Sequence, residues 1–322
     1  MSSPFMISTK PIRISLLGTQ HDYKNCLLPL IAKSLGYKIA WVNPIDADLV
    51  IYGAFHKPTQ KPYRWLPKLL RPHAIALENW SPSRKLKPLT LFHTCESLRH
   101  DTLKTDYSIS FDLGVKNPKH LRLPYWMELV DWSHEGINGN CNPRYGQLLS
   151  IKRMQAPLGT EFLGRTQRAV LITSHLLEPR RTLYEAVNNA VGVSGYGPHF
   201  DSAIKNHSNS YFTKKAILEK FAFNLCPENS LYPGYYTEKI PESFISGTLP
   251  LSWTDSNVCF DFNPASFINL EPMTWENYST LAELLRSQNL LNSFASQPLL
   301  LNTPSLESAK NFIRQMLEDA RS

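Results

Sequence analysis

Two short apolar runs, each stopped by a glycine and separated by a helical pattern, constrain this chain more than any other feature. Ile12–Leu17 (IRISLL) ends at Gly18 and Leu49–Tyr52 (LVIY) ends at Gly53. Between them, Leu27–Leu35 spaces its apolar residues for a helix, and Gly36 follows as a C′ residue. Strand, glycine, helix, strand is the opening of an α/β unit. Runs at His73–Leu77 and Leu89–His93 continue the alternation, with Pro/Lys/Arg-rich connections over 57–72 and 79–88.

The pattern then breaks and restarts. Glu135–Pro157 has little periodicity and many turn formers, which marks a domain boundary. Beyond it, Ala169–Thr173 reads as a strand, and Pro179–Ala190 as a helix with proline at its start, where the lost N–H costs nothing. Val191–Ser194 precedes Gly195-Tyr196-Gly197; Lys214–Lys220 is helical, and Phe221–Cys226 and Leu249–Trp253 are strand-like. Ser305–Asp319 places Leu306, Ala309, Phe312, Ile313 and Met316 along one helical face. A length of 322 residues suits two such units better than one core. With 42% hydrophobic and 19% charged residues, disorder is excluded.

Charge and cysteine usage narrow the classes further. The net charge is +7, and His56–Trp126 alone holds thirteen Lys/Arg against five Asp/Glu, so the basic character is local. Such a stretch suits nucleic acid, an anionic lipid surface or an acidic glycan, and equally an ordinary solvated face. The five cysteines are widely spaced with no CxxC pair, which argues against a disulfide framework or thiolate zinc site and for a reducing compartment. No signal-peptide pattern opens the chain, and no apolar window reaches the ~18 residues of a membrane span.

The chemistry concentrates in Phe221–Trp253 (FAFNLCPENSLYPGYYTEKIPESFISGTLPLSW). A strand yields near Cys226 to a loop with Glu228, Asn229, Gly234, Tyr235 and Tyr236; Thr237 is placed to cap a helix starting at Glu238-Lys239-Ile240. A capped helix start behind a Gly/Asn loop offers N–H groups and a dipole to an anion, and Lys239 adds a full charge. A neighbouring carboxylate suits a ribose diol. Phosphate with ribose implies a nucleotide, although the same spacing also fits surface charges on a first turn.

FNLCPENS (223–230), GYYTEKI (234–240) and SGTLPLSW (246–253) resemble the signature of the α-1,3/4-fucosyltransferase family, FNLCFENS…GYVTEKI…SGTIPIYWG. DFNPASFINL (261–270) is similar to its DFNPKSFVNV. Pro227 replaces the usual aromatic, and Thr254-Asp255 the glycine after tryptophan. Weaker likenesses are His93-Thr94-Cys95-Glu96 to a TGE-like motif, Asp106–Asp112 to DYAIGFD, Leu121–Pro124 to YLRMP, and Arg180–Tyr184 to the helix start bearing the family's phosphate-binding arginine. Val193–Gly197 matches its glycine turn. Recognisable pieces cover roughly residues 90–125 and 170–270.

The resemblance implies two Rossmann-like α/β domains facing a cleft, the GT-B type, with a C-terminal helix. The expected boundaries are 1–152 for an acceptor-binding domain, 153–290 for a GDP-fucose-binding domain and 291–322 for a helical segment packing back. It implies an inverting single displacement from GDP-fucose to a hydroxyl of N-acetylglucosamine or glucose in a lactose- or N-acetyllactosamine-like acceptor, in α-1,3 or α-1,4 linkage. Glu96 is the expected base, with Glu78 its rival; Arg180, or Arg181 one register away, binds the diphosphate; Lys239 neutralises the leaving group. Glu238 takes the ribose, Asn229 and Tyr235 the nucleotide or sugar, Glu228 the fucose, and Gly195 belongs to the donor turn.

No cofactor or metal is expected. Asp46-Ala47-Asp48 precedes its strand and reads as a turn, and His93, His100, His120 and His134 lack ligand spacing. Trp65, Trp126 and Trp132 are assigned to core or to sugar stacking rather than to bases. A bacterial cytoplasmic enzyme, its basic first domain against the anionic inner leaflet, is the expected setting. The rivals are a transferase with another donor, and a nucleic-acid-binding protein using residues 56–126.

Overall fold

The computed structural model describes residues 10–20, 22–57, 87–201, 213–272 and 278–322. The expected strand at 73–77, together with Glu78 and Trp65, lies outside the described residues. Contacts divide the chain into two compact units. Unit 1 takes Met1–Leu123, Trp132–Asn140 and Ser305–Ser322; unit 2 takes Pro124–Asp131 and Cys141–Pro304. The division thus differs from 1–152, 153–290 and 291–322, because the chain crosses between the units several times.

Unit 1 is built on a parallel sheet of β1 (Ile12–Leu17), β2 (Ile39–Trp41), β3 (Leu49–Tyr52), β4 (Leu89–His93), β5 (Tyr107–Ser110) and β6 (His120–Arg122). The strand order is β2-β1-β3-β4-β5-β6, so the winding direction reverses between β1 and β3. There the loops leaving the two strands close on each other. A Cβ on Gly18 would lie 2.1 Å from the His56 nitrogen, and one on Gly53 2.4 Å from the Gly18 oxygen, so neither position tolerates a side chain. Helix α1 (Leu27–Ser34) buries Leu27, Leu28, Leu30 and Ile31, and Gly36 follows in the left-handed conformation foreseen for it.

Unit 2 has its own parallel sheet: β7 (Gln167–Ile172), β8 (Val193–Tyr196), β9 (Phe221–Leu225), β10 (Leu249–Ser252) and β11 (Ile268–Asn269), ordered β11-β10-β9-β7-β8. Its helices include α2 (Arg180–Val191), α3 (Lys214–Leu218), α4 (Lys239–Ile245), α5 (Tyr278–Arg286) and α6 (Gln288–Ala295). All five residues of β9 are buried, as a central parallel strand covered on both faces requires. Two Rossmann-like α/β units are therefore present, as expected for the GT-B type.

The amphipathic C-terminal segment forms α7 (Glu307–Asp319), which belongs to unit 1. Ala309, Ile313, Met316 and Leu317 are buried, and Phe312 meets the Tyr107 ring edge-on at 5.5 Å. The Tyr107 hydroxyl donates to Asp319 at 2.7 Å, and Lys310 pairs with Glu135 at 2.6 Å. Trp126 and Trp132 are both buried, in keeping with core roles. Asp48 of the formal DxD takes the Arg13 guanidinium at 2.7 Å and the Arg13 backbone N–H at 2.9 Å, which makes it a strand-edge brace. None of the five cysteines, all within the described residues, is in a disulfide. Among the described residues no helix is long and apolar enough to cross a membrane.

Candidate active site

In unit 2 the winding reverses between β7 and β9, which lie side by side while the chain runs first to β8. At such a switch point the loops beyond the strand ends part, and ligands of open α/β sheets bind there. The β7 loop leads through His175 to Arg180 at the start of α2; the β9 loop carries Glu228 and Asn229 and leads to Lys239 at the start of α4.

The predicted donor residues converge at that edge. Arg180 donates to the Asn229 side-chain oxygen. Lys239 reaches the same oxygen at 3.3 Å and the Glu228 carboxylate at 2.6 Å. The Asn229 amide donates to the Tyr235 hydroxyl at 3.2 Å. Two cations are thereby aimed at one neutral oxygen, a grouping that suits a ligand carrying more than one negative charge. Burial pulls the Arg180 guanidinium below the ordinary arginine range, with Glu228 and Tyr235 opposing it; a guanidinium does not lose its proton in a protein, so the group is a cation.

The structure separates Arg180 from Arg181. Helix α2 buries Arg180, Leu183, Ala186, Val187 and Ala190 on one stripe, while Arg181 is exposed. Helical spacing of 3 and 7 from Leu183 and Val187 back to Arg180 carried that distinction in the sequence.

Two local expectations differ. Helix α4 begins one residue later than foreseen, at Lys239, and its N-cap position is Glu238, with no side-chain cap. Thr237 instead gives both its N–H (2.8 Å) and its hydroxyl (2.9 and 3.0 Å) to Glu228. Glu228 is 1% exposed, and both its oxygens are occupied by Thr237 and Lys239. In this geometry Glu228 aims Lys239 and ties the 237–239 backbone to the β9 loop.

Glu238 stands at the head of α4 and is half-buried. Burial raises its pKa, but Lys214 and Lys239 outweigh that and hold the carboxyl below its ordinary range, hence ionised. Gly195 lies in β8 against the Phe200 ring, whose atoms would be 2.3 Å from an added Cβ. Glu96 follows β4 in unit 1, exposed on a turn in which the Thr94 hydroxyl donates to its carbonyl and accepts from its N–H, both at 3.1 Å.

Much of the motif is scaffold. Asn224 donates to Ser243 at 2.7 Å across β9 and α4. Glu242, fully inside, takes Lys214 at 2.5 Å and Asn142 at 2.8 Å. Arg165 gathers the end of α4, donating to the Ser246 carbonyl at 3.1 Å and the Thr248 hydroxyl at 2.9 Å. Asp255, at the departure after Trp253, accepts from the buried Tyr236 hydroxyl at 3.0 Å.

Sequence reasoning missed His175. Its Nε2 lies 2.8 Å from Arg180, and its Nδ1 3.1 Å from the Ser174 hydroxyl. Its one sequence signal was position, just beyond the strand that precedes the arginine helix.

Residues 163–293 match the pattern of glycosyltransferase family 10 (fucosyltransferase) C-term. An alpha-(1,3)-fucosyltransferase FucT from Helicobacter pylori is 29% identical over 196 residues. The match covers 56% of this chain but only 40% of that relative's length. A solved alpha1,3-fucosyltransferase with GDP-fucose superposes with a TM-score of 0.65 at 22% identity, covering 98% of this chain and 94% of the other. A second alpha1,3-fucosyltransferase structure gives 0.66 at 24% identity over 98% and 93%. In fold throughout, and in sequence over residues 163–293, the chain resembles the fucosyltransferases of glycosyltransferase family 10.

Proposed function

We propose that this chain is an inverting fucosyltransferase, moving fucose from GDP-fucose to a hydroxyl of N-acetylglucosamine or glucose in an oligosaccharide, in α-1,3 or α-1,4 linkage. The observation that carries the reading is the convergence of Arg180 and Lys239 on the Asn229 oxygen at the switch point of unit 2. A diphosphate placed there meets two cations whose positions are set before it arrives, the arrangement that best stabilises charge developing on a leaving group. GDP-fucose, the ligand in the solved alpha1,3-fucosyltransferase, is a donor of this kind.

Glu96 takes the proton of the acceptor hydroxyl while the acceptor oxygen forms its bond to the anomeric carbon. The bond from that carbon to the diphosphate oxygen breaks with inversion, and GDP leaves with its new charge on Arg180 and Lys239. Ionised Glu238 accepts from the ribose diol. Asn229 and Tyr235 line the donor; Glu228 acts through Lys239. Gly195, which lies in β8 and not in a turn, makes room for the Phe200 ring beside the donor edge of the sheet. No metal is required, and transfer is expected to persist in chelator.

The test is to incubate the protein with GDP-fucose and lactose or N-acetyllactosamine and measure GDP release and product. Wild type is expected to transfer, and Glu96→Ala to lose at least about 100-fold in kcat. Absence of transfer by wild type would sink the reading; full activity in Glu96→Ala would sink the assignment of the base.

A further inference from the structure

We propose that His175, in its neutral form, is a positioning residue: it accepts a hydrogen bond from Arg180 and holds the guanidinium toward the donor diphosphate, so that protonation of the imidazole releases Arg180 and weakens donor binding. The inference rests on the fucosyltransferase reading and adds to it a residue and a pH response.

The geometry settles the roles. Arginine has donors only, so the Nε2 atom 2.8 Å from Arg180 must be the unprotonated nitrogen. The Nδ1 atom then carries the proton and donates to the Ser174 hydroxyl at 3.1 Å. One arm of the guanidinium goes to His175 and the other to Asn229, so the fork is fixed at both tips. The loop is itself braced: the Thr173 hydroxyl donates to the His175 carbonyl at 2.8 Å and accepts the His175 N–H at 3.4 Å.

An imidazolium has two donors and no acceptor, so it cannot keep the bond to Arg180. The groups facing His175 also disfavour its charge. Burial, then Arg180 from α2, His199 from the loop beyond β8 and Lys239 from α4, all hold the imidazole below the ordinary histidine range. At neutral pH the ring is therefore the acceptor that Arg180 needs. Acidification adds a cation beside two others and frees the guanidinium.

The experiment is GDP-fucose binding to the full chain by calorimetry, without acceptor, from pH 7.5 to 5. The esterified diphosphate of GDP-fucose has no group titrating in that range. Wild-type affinity is expected to fall on the order of tenfold as pH drops, the scale of one hydrogen bond to a charged group. His175→Gln offers an oxygen to Arg180 and an amide to Ser174 without titrating, so it should bind near wild-type strength at pH 7.5 and show no acid loss. His175→Ala should bind about tenfold more weakly at both ends of the range. Tighter wild-type binding at low pH, or an acid loss retained in His175→Gln, overturns the positioning role while leaving the donor assignment intact. No GDP-fucose binding by wild type at any pH overturns both.

Discussion

Lys239 and Arg181 look alike in the sequence, each a basic residue in the first turn of a helix, yet their removal should have opposite consequences. Lys239 is 19% exposed in its side chain and pairs with a Glu228 side chain that is 0% exposed. Lys239→Ala strands that carboxylate, and since truncating one partner of a buried pair costs about 3–5 kcal/mol, we expect a loss near the lower end, together with the loss of transfer. Arg181→Ala, on the exposed face, should stay within about 0.5 kcal/mol and keep activity. Thermal melts and a transfer assay on the two variants decide this, and equal stability would mean that the Glu228 contact is not formed in solution. The individual residues of the site were only partly legible in advance. Arg180, Asn229, Tyr235 and Lys239 were singled out by the family-like motifs together with their places at helix starts and in the loop after a strand, and the structure brings them together. Glu228 was expected at the fucose; that it holds the Thr237 N–H and Lys239 was not legible, because Thr237 read as a helix cap. Nothing in a one-dimensional pattern signals that a histidine five residues before an arginine will meet it.

At the scale of elements, periodicity and glycine placement carried most of the fold: β1, β3 and β4 begin and end where their apolar runs do. The sequence located α2 and the amphipathic α7 to within two residues. Unit membership was not legible, because the assignment of α7 to unit 1 depends on side chains such as Tyr107 and Glu135 far away along the chain. Strand β6 supplies a pH response of its own. His120 accepts from or donates to Ser108 at 3.0 Å and lies beside His100, ring centres 4.9 Å apart and planes tilted by 55°; burial first, then His100, lowers its pKa to about 4. In the unfolded chain the same histidine titrates near ~6.5. Between those values the unfolded state binds the extra proton, so stability is unaffected by this group above about pH 6.5 and falls as pH drops toward about 4. His120→Gln should show a shallower acid loss of melting temperature over that window. An unchanged slope would assign the acid sensitivity elsewhere.

For the molecule as a whole, the interleaving of the units means that unit 1 is incomplete until residues 305–322 exist, although its strands are made first. Unit 2 carries the nucleotide reading, which predicts a linkage effect: GDP at about 100 times its dissociation constant adds about 2.7 kcal/mol to stability, and UDP at the same concentration less. A melting series with both nucleotides measures it, and equal shifts would point to a different donor. The shared oxygen of Asn229 bears on the lifetime of the protein as well. Lys239 is already compensated by the Glu228 carboxylate at 2.6 Å, so on the proposed donor reading an arriving diphosphate would add ionic partners at this edge of the folded unit and none in the unfolded chain. Bound nucleotide would then lower the fraction of copies unfolded at any moment, and with it their loss to proteolysis.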